Sequence, residues 1–324
     1  MIDLINGIRS IVETCMEIRP EERILVIADT DPGPMWVGQV FMNVFSSIGA
    51  DAVLSLMTPR QSNAQEPPAT VAAAMKSATT IVCISDRFVL THTDARKEAT
   101  AAGARYYNMR QIPIDDLKKG VSAADIHLLQ ERTEGIAQRL TQAKTARITT
   151  PAGTDITMSL AGREGVALHP LGVLRHLVGG IPDYAEAAVA PVEGTAEGIV
   201  VIDLAYIDWG YLLGEPLRCT VKGGKLVDIA GRPEEADRLR KVAARDENAS
   251  NIAELGIGTS HIIPGPLRGT RRDAGRIGTA HIAIGRNNSI GGATWSRVHT
   301  DGLMSRVTIE LDGECVLREG VLLV

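Results

Sequence analysis

The sequence has few aromatic residues, no long hydrophobic run and no block of like charges. Phe, Trp and Tyr make up 3% of the 324 residues, so a surface that stacks on nucleic-acid bases is not expected. The formal net charge is −5, which also disfavours a nucleic-acid partner. No apolar run approaches the roughly 20 residues that a membrane span needs. We therefore expect a protein that binds neither nucleic acid nor a membrane.

Cysteine is scarce, and secretion and cofactor motifs are absent. The four cysteines form no CxxC pair, so a disulfide framework is not expected. Residues 1–4 lack the basic region of a secretion signal, which predicts a cytoplasmic protein. The loop over residues 29–34 lacks GxGxxG, and this disfavours a nicotinamide cofactor. The sequence contains neither a GxSxG elbow nor a P-loop.

The first part of the chain alternates short apolar runs with segments of helical periodicity. Residues 23–28 and 80–84 are typical of buried strands, and residues 37–48 and 94–102 are typical of helices. Repeated βα units predict a parallel sheet with helices on both faces. The sequence therefore predicts a Rossmann-like α/β domain.

The second part of the chain is richer in glycine and in short β-like runs. A long helix is predicted over residues 125–144, and strand-like segments predominate after it. We predict an α/β domain over residues 1–145 and a β-rich α+β domain over residues 146–324.

Three histidines are close together in the C-terminal part of the chain. His261, His281 and His299 each lie in a glycine-rich, strand-like context. His299 and Asp301 are two residues apart, so on a strand both side chains point to the same face and can bind one ion. With one distant histidine, such a pair forms the 2-His-1-carboxylate triad of non-haem iron sites. The same pattern also occurs by chance, and the glycines can equally be strand bends.

Carboxylates elsewhere in this half of the chain allow a second arrangement. Glu186 and Glu254, added to the three histidines and Asp301, would supply enough ligands for two metal ions. The residues alone therefore predict a metal enzyme with either one ion or two.

The remaining histidines offer one further candidate. His92 follows the third predicted strand, where ligands of open α/β sheets bind, and an imidazole there can transfer protons. Its alternative role is to cap the helix that begins near Asp94. His127 and His176 lie in helix-like segments and are interpreted as structural, while His169 has no assigned role.

Several motifs together resemble one superfamily of metalloenzymes over residues 1–324. The segments that carry the resemblance are residues 91–99, 102–105, 191–198, 253–259, 278–285 and 298–302. The superfamily contains the aminopeptidase T metallopeptidases and the 2,5-dihydroxypyridine 5,6-dioxygenases, and the resemblance by itself does not choose between them.

The dioxygenase branch implies a mononuclear iron site. Its three iron ligands correspond to His261, His299 and Asp301. Its proton-transferring histidine corresponds to His92. A second acid–base histidine of that branch falls near Ile181, so this function is missing or comes from a neighbour such as His176.

The aminopeptidase branch implies a larger ligand set. Its two glutamates, two histidines and aspartate correspond to Glu186, Glu254, His281, His299 and Asp301. Its tyrosine falls on Asn288, which disfavours peptidase chemistry because that phenol assists at the metal centre.

The lost tyrosine and the presence of His261 favour the dioxygenase. We expect an Fe(II) enzyme that cleaves the ring of a small hydroxylated aromatic or pyridine with O2, with His92 removing a hydroxyl proton. The alternative is a hydrolase that cleaves an amide bond with one or two Zn, Mn or Co ions. A third possibility is a small-molecule binding protein without activity. The predicted partners are a small-molecule substrate and further copies of the chain in a homo-oligomer.

Overall fold

The computed structural model describes residues 1–171 and 178–323, so His176 lies outside the described residues. The helices are α1 Ile2–Ile11, α2 Pro32–Ser47, α3 Ala69–Ser77, α4 Asp94–Ala101, α5 Ile114–Lys119, α6 Ala123–Gln142, α7 Pro233–Ala243 and α8 Arg271–Ala274. The first ten strands are β1 Arg23–Asp29, β2 Asp51–Met57, β3 Thr80–Ser85, β4 Arg105–Arg110, β5 Thr145–Thr149, β6 Asp155–Ser159, β7 Val166–Leu168, β8 Val178–Gly180, β9 Glu186–Val189 and β10 Glu197–Ile202. The others are β11 Ala205–Tyr206, β12 Leu217–Lys222, β13 Lys225–Ala230, β14 Ile252–Gly258, β15 Thr279–Gly285, β16 His299–Ser305, β17 Thr308–Leu311, β18 Glu314–Arg318 and β19 Val321–Leu322.

The chain forms two compact units. The first consists of residues 1–130 and 168–184, and the second of residues 131–167 and 185–324. A segment from the middle of the chain therefore belongs to the first unit. The division into domains at residue 145 stays a prediction, because compactness does not test which segments fold independently.

The first unit contains a parallel sheet. Among the described residues its strand order is β2-β1-β3-β4-β8, and every neighbouring pair is parallel. The predicted βα pattern is thus confirmed, and β8 adds an edge strand that the pattern did not predict. The first helix ends at Ile11, after which the chain makes a π-helical turn over Val12–Met16, and Glu17 has a positive φ of 44°.

The second unit is built from antiparallel sheets. In the described part of the chain, one sheet has the order β13-β12-β10-β6-β5-β17-β18-β19 and the other has the order β11-β16-β15-β14-β9-β7. Leu255, Ile257, Ile282 and Ile284 of the central strands β14 and β15 are buried in one hydrophobic core. Because side chains alternate along a strand, residues 254, 256, 281 and 283 point to the opposite face of this sheet. No helix among the described residues is both long enough and apolar enough to cross a bilayer.

Substitution of Leu25 tests whether β1 is an interior strand of the parallel sheet. Its side chain is 3% exposed, whereas Val53 on the outer strand β2 is 59% exposed. We expect Leu25→Ala to reduce the free energy of unfolding by about 2–4 kcal/mol, because it removes buried methyl groups and leaves a cavity. The control Val53→Ala should change it by less than about 0.5 kcal/mol. Urea unfolding measures both, and equal small effects would contradict the assignment of β1 as a central strand.

Glu22 should make the stability depend on pH. Its carboxylate accepts hydrogen bonds from Thr80 and from Arg105, whose Nη2 lies 2.6 Å from Oε1. Partial burial raises the pKa of Glu22, but the contacts with Thr80 and Arg105 outweigh it and lower the pKa. A lowered folded-state pKa contributes stability above the unfolded-state pKa, and this stability is lost as the pH falls through the folded-state pKa.

We therefore expect Glu22→Gln to cost about 1–3 kcal/mol at pH 7, with a smaller difference from the parent as the solution is acidified below about pH 4. Urea unfolding at several pH values measures the difference. A cost that stays constant down to pH 2 would show that the carboxylate charge is not responsible.

Candidate metal centre

Five candidate residues lie on one face of four adjoining strands. Glu186 is on β9, Glu254 on β14, His281 on β15, and both His299 and Asp301 are on β16. Directly paired residues of neighbouring strands share a face of the sheet. The register pairs Glu186 with Gly258, Glu254 and Asp301 with Ala283, His281 with Gly256, and His299 with Gly285.

Each candidate side chain thus has a glycine or an alanine opposite it on a neighbouring strand, which leaves room above the sheet, although His281 also pairs with Leu303 on its other side. The closest approach is at Gly256, where a Cβ atom would lie 2.1 Å from Cε1 of the His281 ring. The glycine-rich strands of the sequence therefore make space for the larger side chains of the site.

Glu254 lies between two groups of possible ligands. Its Oε1 is 3.7 Å from Nε2 of His281, which is also 3.8 Å from Oε2 of Glu186. Its Oε2 is 3.1 Å from Nε2 of His299, which is also 3.3 Å from Oδ1 of Asp301. The described residues form two sets that could each hold a metal ion: Glu186, Glu254 and His281, and Glu254, His299 and Asp301. Glu254 belongs to both sets.

The residues fit a cation. Glu186, Glu254, His281 and Asp301 are buried, and buried carboxylates are costly unless a cation or hydrogen bonds compensate them. Among the described residues, Nδ1 of His281 and Oδ1 of Asp301 receive or donate no hydrogen bond. Imidazole and carboxylate ligands suit Zn, Mn, Fe and Co. The donor set does not select one of these metals.

The pKa values of these groups show how strongly the site attracts positive charge. Burial lowers the pKa of His281, but contact with Glu254 and the charges of Asp301 and Glu186 outweigh it and raise the pKa to about 9. Burial likewise opposes the contacts of His299 with Asp301 and Glu254, and the net effect raises the pKa of His299. The same contacts overcome the effect of burial on Glu254 and lower the pKa of that carboxylate to about 2. Protons on the two histidines thus offset the negative charge of the carboxylates, and bound cations would offset the same charge.

A backbone carbonyl orients His299. Nδ1 of His299 lies 2.7 Å from the carbonyl oxygen of Arg286, and a carbonyl only accepts hydrogen bonds. Nδ1 therefore carries a proton, and Nε2, which faces Glu254 and Asp301, is the nitrogen that would bind a metal ion once its own proton is displaced. This second contact is typical of metal-binding histidines. The sequence could not have indicated Arg286, since the contact uses its backbone.

His261 is not part of either set of ligands found among the described residues. It is exposed, and its Nδ1 lies 3.1 Å from Nη1 of Arg132. Arg132 only donates hydrogen bonds, so Nδ1 of His261 accepts, and a neutral ring then carries its proton on Nε2. A protonated Nε2 cannot bind a metal. The role of His261 as an iron ligand stays a prediction, and it requires Arg132 to release the ring.

His92 lies in the first unit, at the end of the loop between β3 and α4, and is buried. The N-cap of α4 is Thr93, whose side chain accepts a hydrogen bond from the backbone N–H of Arg96. The alternative role of His92 as the cap is therefore wrong, and its role in proton transfer stays a prediction.

Two further positions, Ile181 and Asn288, are those at which this chain lacks a residue of one of the related branches. Ile181 is fully buried, and its N–H donates to the carbonyl of Asn108. Asn288 accepts a hydrogen bond of 2.7 Å from Nε of Arg286 through its Oδ1. His127 is exposed on α6, and His169 is buried.

Comparisons with known proteins agree with the sequence motifs. The family model described as NicX: 2,5-dihydroxypyridine 5,6-dioxygenase matches residues 3–324. A solved structure of 2,5-dihydroxypyridine dioxygenase from Pseudomonas putida KT2440 is 17% identical, with a TM-score of 0.78, and the match covers 99% of this chain and 97% of that one. Wild-type AmpT from Thermus thermophilus is 15% identical, with a TM-score of 0.71 and 99% of both chains covered. No curated protein sequence matches. At these identities the two structures establish a shared fold.

Proposed function

Because the chain belongs to the NicX family, the 2,5-dihydroxypyridine 5,6-dioxygenases, we propose that it is a metal-dependent enzyme acting on a small molecule. We further propose that it holds two divalent cations and hydrolyses an amide bond. One observation carries this choice: the two carboxylate oxygens of Glu254 approach two different imidazoles, at 3.7 and 3.1 Å. A carboxylate shared between two ligand sets is expected for a dinuclear centre.

The ligands divide between the two cations in this proposal. Glu186 and His281 would hold one, His299 and Asp301 would hold the other, and Glu254 would bind both. When bound, such a pair of cations supplies Lewis acidity to a carbonyl group and a reactive water at neutral pH. The arrangement of the chain supports this division, because the sheet register brings the five side chains together and the Arg286 carbonyl orients the ring of His299.

Ring cleavage with O2, which the sequence motifs favoured over hydrolysis, is the second candidate here, and the family match over residues 3–324 supports it. There, a ferrous ion held by His261, His299 and Asp301 would supply the oxygen chemistry, and His92 would accept a substrate proton. This assignment needs Nε2 of His261 as a ligand, whereas the contact with Arg132 supports a proton on that nitrogen.

Metal stoichiometry and paired activity assays test the proposal. The purified protein would be depleted of metal and reloaded separately with Zn, Mn, Co and Fe(II). Each form would be assayed for hydrolysis of N-acyl amino acids and aminoacyl anilides, and for oxygen uptake with dihydroxypyridines and catechols. The proposal expects two ions per chain and amide hydrolysis. One iron per chain with oxygen uptake would establish the second candidate instead.

A further inference from the structure

A cavity of about 330 Å³ lies in the first unit, at the carboxyl ends of β3 and β4. Three polar residues, Ser85, Asp86 and Gln111, line it. The rest of its wall is mainly apolar and includes Val37, Ile84, Met109, Ile112, Ile114 and Leu117. A concave, largely apolar wall with a few polar groups is typical of small-molecule sites, and this volume lies at the lower end of their range.

The cavity occupies a position at which open α/β sheets bind ligands. From β1 the chain passes first to β2 and then to β3 on the other side of β1, so the crevice between β1 and β3 is a topological switch point. Gly33 lines the cavity from the chain that follows β1, and Ser85 and Asp86 line it from the end of β3. A Cβ atom on Gly33 would lie 3.3 Å from Oδ2 of Asp86. The Asp86 carboxylate therefore lies beside the first turn of α2.

This first turn of α2 is not suited to an anion. Phosphates and carboxylates bind at helix N-termini through free backbone N–H groups. Pro32 and Pro34 have no N–H, and the N–H of Met35 donates to the carbonyl of Asp31. Residues 32–35 thus offer an anion at most one backbone N–H.

The charged groups at this end of the sheet favour a cation. Arg87 pairs with Asp31 at 3.1 Å, which leaves the carboxylates of Asp29 and Asp86. Desolvation raises the pKa of Asp86, and the charges of Asp29 and Asp31 raise it further. Within residues 1–171 and 178–323, the carboxylate of Asp86 has no ion pair and accepts no hydrogen bond. A cation bound there would stabilise its charged form.

The other two polar side chains of the wall leave one further acceptor. The hydroxyl of Ser85 donates to Oδ2 of Asp29 at 2.6 Å and accepts from the N–H of Arg87, so it is already engaged. Oε1 of Gln111 is buried and accepts no hydrogen bond from the described residues. A buried acceptor without a partner is costly, and an N–H donor of a ligand would remove that cost.

We propose that this cavity binds a small primary amine in its ammonium form, with the ammonium group at Asp86 and an apolar body against Ile84, Met109 and Leu117. An ammonium group has three N–H donors and no acceptor. It can therefore pair with the carboxylate and still donate to a second acceptor such as Oε1 of Gln111. The site uses no residue of the candidate metal centre and does not depend on the proposed hydrolase function.

Binding of three probes of similar shape tests this class of ligand without requiring turnover. 2-Phenylethylamine is a cation at neutral pH, 2-phenylethanol is neutral, and phenylacetate is an anion. Dissociation constants would be measured by ligand-observed NMR on the metal-loaded full chain. We expect the amine to bind about 3–10-fold more tightly than the alcohol, since Asp86 is exposed and a solvated ion pair contributes modestly. Phenylacetate should bind more weakly than both.

Asp86→Asn should remove the preference for the amine. The variant keeps the size of the side chain and loses its charge, so the amine should bind about 3–10-fold less tightly while the alcohol is unchanged. Gln111→Met removes the second acceptor at similar length and should also weaken the amine selectively, and it carries the test if circular dichroism shows that Asp86→Asn does not fold. The control is Asp115→Asn, which removes an exposed carboxylate of α5 that is paired with Lys118 and does not line the cavity. It should change none of the three constants.

Equal affinity of the wild type for the amine and the alcohol would overturn the site, and so would tighter binding of phenylacetate. An unchanged preference for the amine in Asp86→Asn would also overturn it, because the amine would then be binding elsewhere, such as at the carboxylates of the metal centre. A loss of affinity for both the amine and the alcohol would show that Asp86 only shapes the cavity, and it would likewise overturn the proposal.

Discussion

Glu254→Gln should remove metal from both halves of the centre and reduce amide hydrolysis by more than about a hundredfold. The amide keeps one oxygen but loses the charge and the second oxygen, so it cannot bind two cations. Changes to residues that only support metal ligands typically cost 10–100-fold, and loss of a shared ligand should cost more. Elemental analysis of the purified variant measures the bound metal, and steady-state kinetics measure the loss of activity.

The matched variant His261→Ala separates the two chemistries. It should keep two ions per chain and lose activity only partly if the cations bind Glu254 as proposed. Under the dioxygenase alternative the two variants exchange their effects: His261→Ala loses the iron, and Glu254→Gln keeps it. Glu235→Gln serves as a control, since Glu235 is a buried carboxylate on α7 outside both ligand sets, and it should keep the full metal content.

The sequence predicted the parallel sheet because local signals were enough. The apolar runs of β1 and β3 and the intervening helical periodicity can be recognised without knowing what they contact. Strand β8 could not be predicted in this way. Its three residues join the first sheet from a position after β5, β6 and β7, and no local pattern encodes such a distant pairing.

The site was predictable only where its residues are close in sequence. His299 and Asp301 are two apart on one strand, so alternation alone places them together. Glu186, Glu254 and His281 come from three other strands, and residue patterns alone left their arrangement open. The contact between Arg132 and His261 joins positions 129 apart. It involves side chains on a helix and a loop, and periodicity carries no information about that pairing.

The motifs of the two branches coincide in this chain because the two implied ligand sets share residues. His299 and Asp301 occur in both implied ligand sets, and they sit on β16 whichever chemistry is used. The two implied sets differ in their further ligands, which are His261 in one and Glu186, Glu254 and His281 in the other. Glu254 approaches Nε2 of His299 at 3.1 Å, whereas Nδ1 of His261 is turned to Arg132. This difference supports the dinuclear arrangement.

Gly256→Ala should empty one half of the centre and leave the other half occupied. The new Cβ atom would lie 2.1 Å from Cε1 and 2.2 Å from Nε2 of His281, which is far inside contact distance. Gly256 is in the middle of a buried strand between β9 and β15, so the backbone has little freedom and the ring of His281 must move. Nε2 would then leave the position that it shares with Glu186 and Glu254.

We expect one metal ion per chain in Gly256→Ala, held by Glu254, His299 and Asp301, and a loss of hydrolysis comparable to that of Glu254→Gln. Overpacking should also lower the free energy of unfolding by about 1–3 kcal/mol. The control is Gly135→Ala in α6, where an added Cβ meets no atom within 4 Å and the backbone needs no positive φ. That variant should keep two ions and gain about 0.4–1 kcal/mol. Elemental analysis and urea unfolding measure both variants, and two tightly bound ions in Gly256→Ala would refute the assignment of His281 as a ligand.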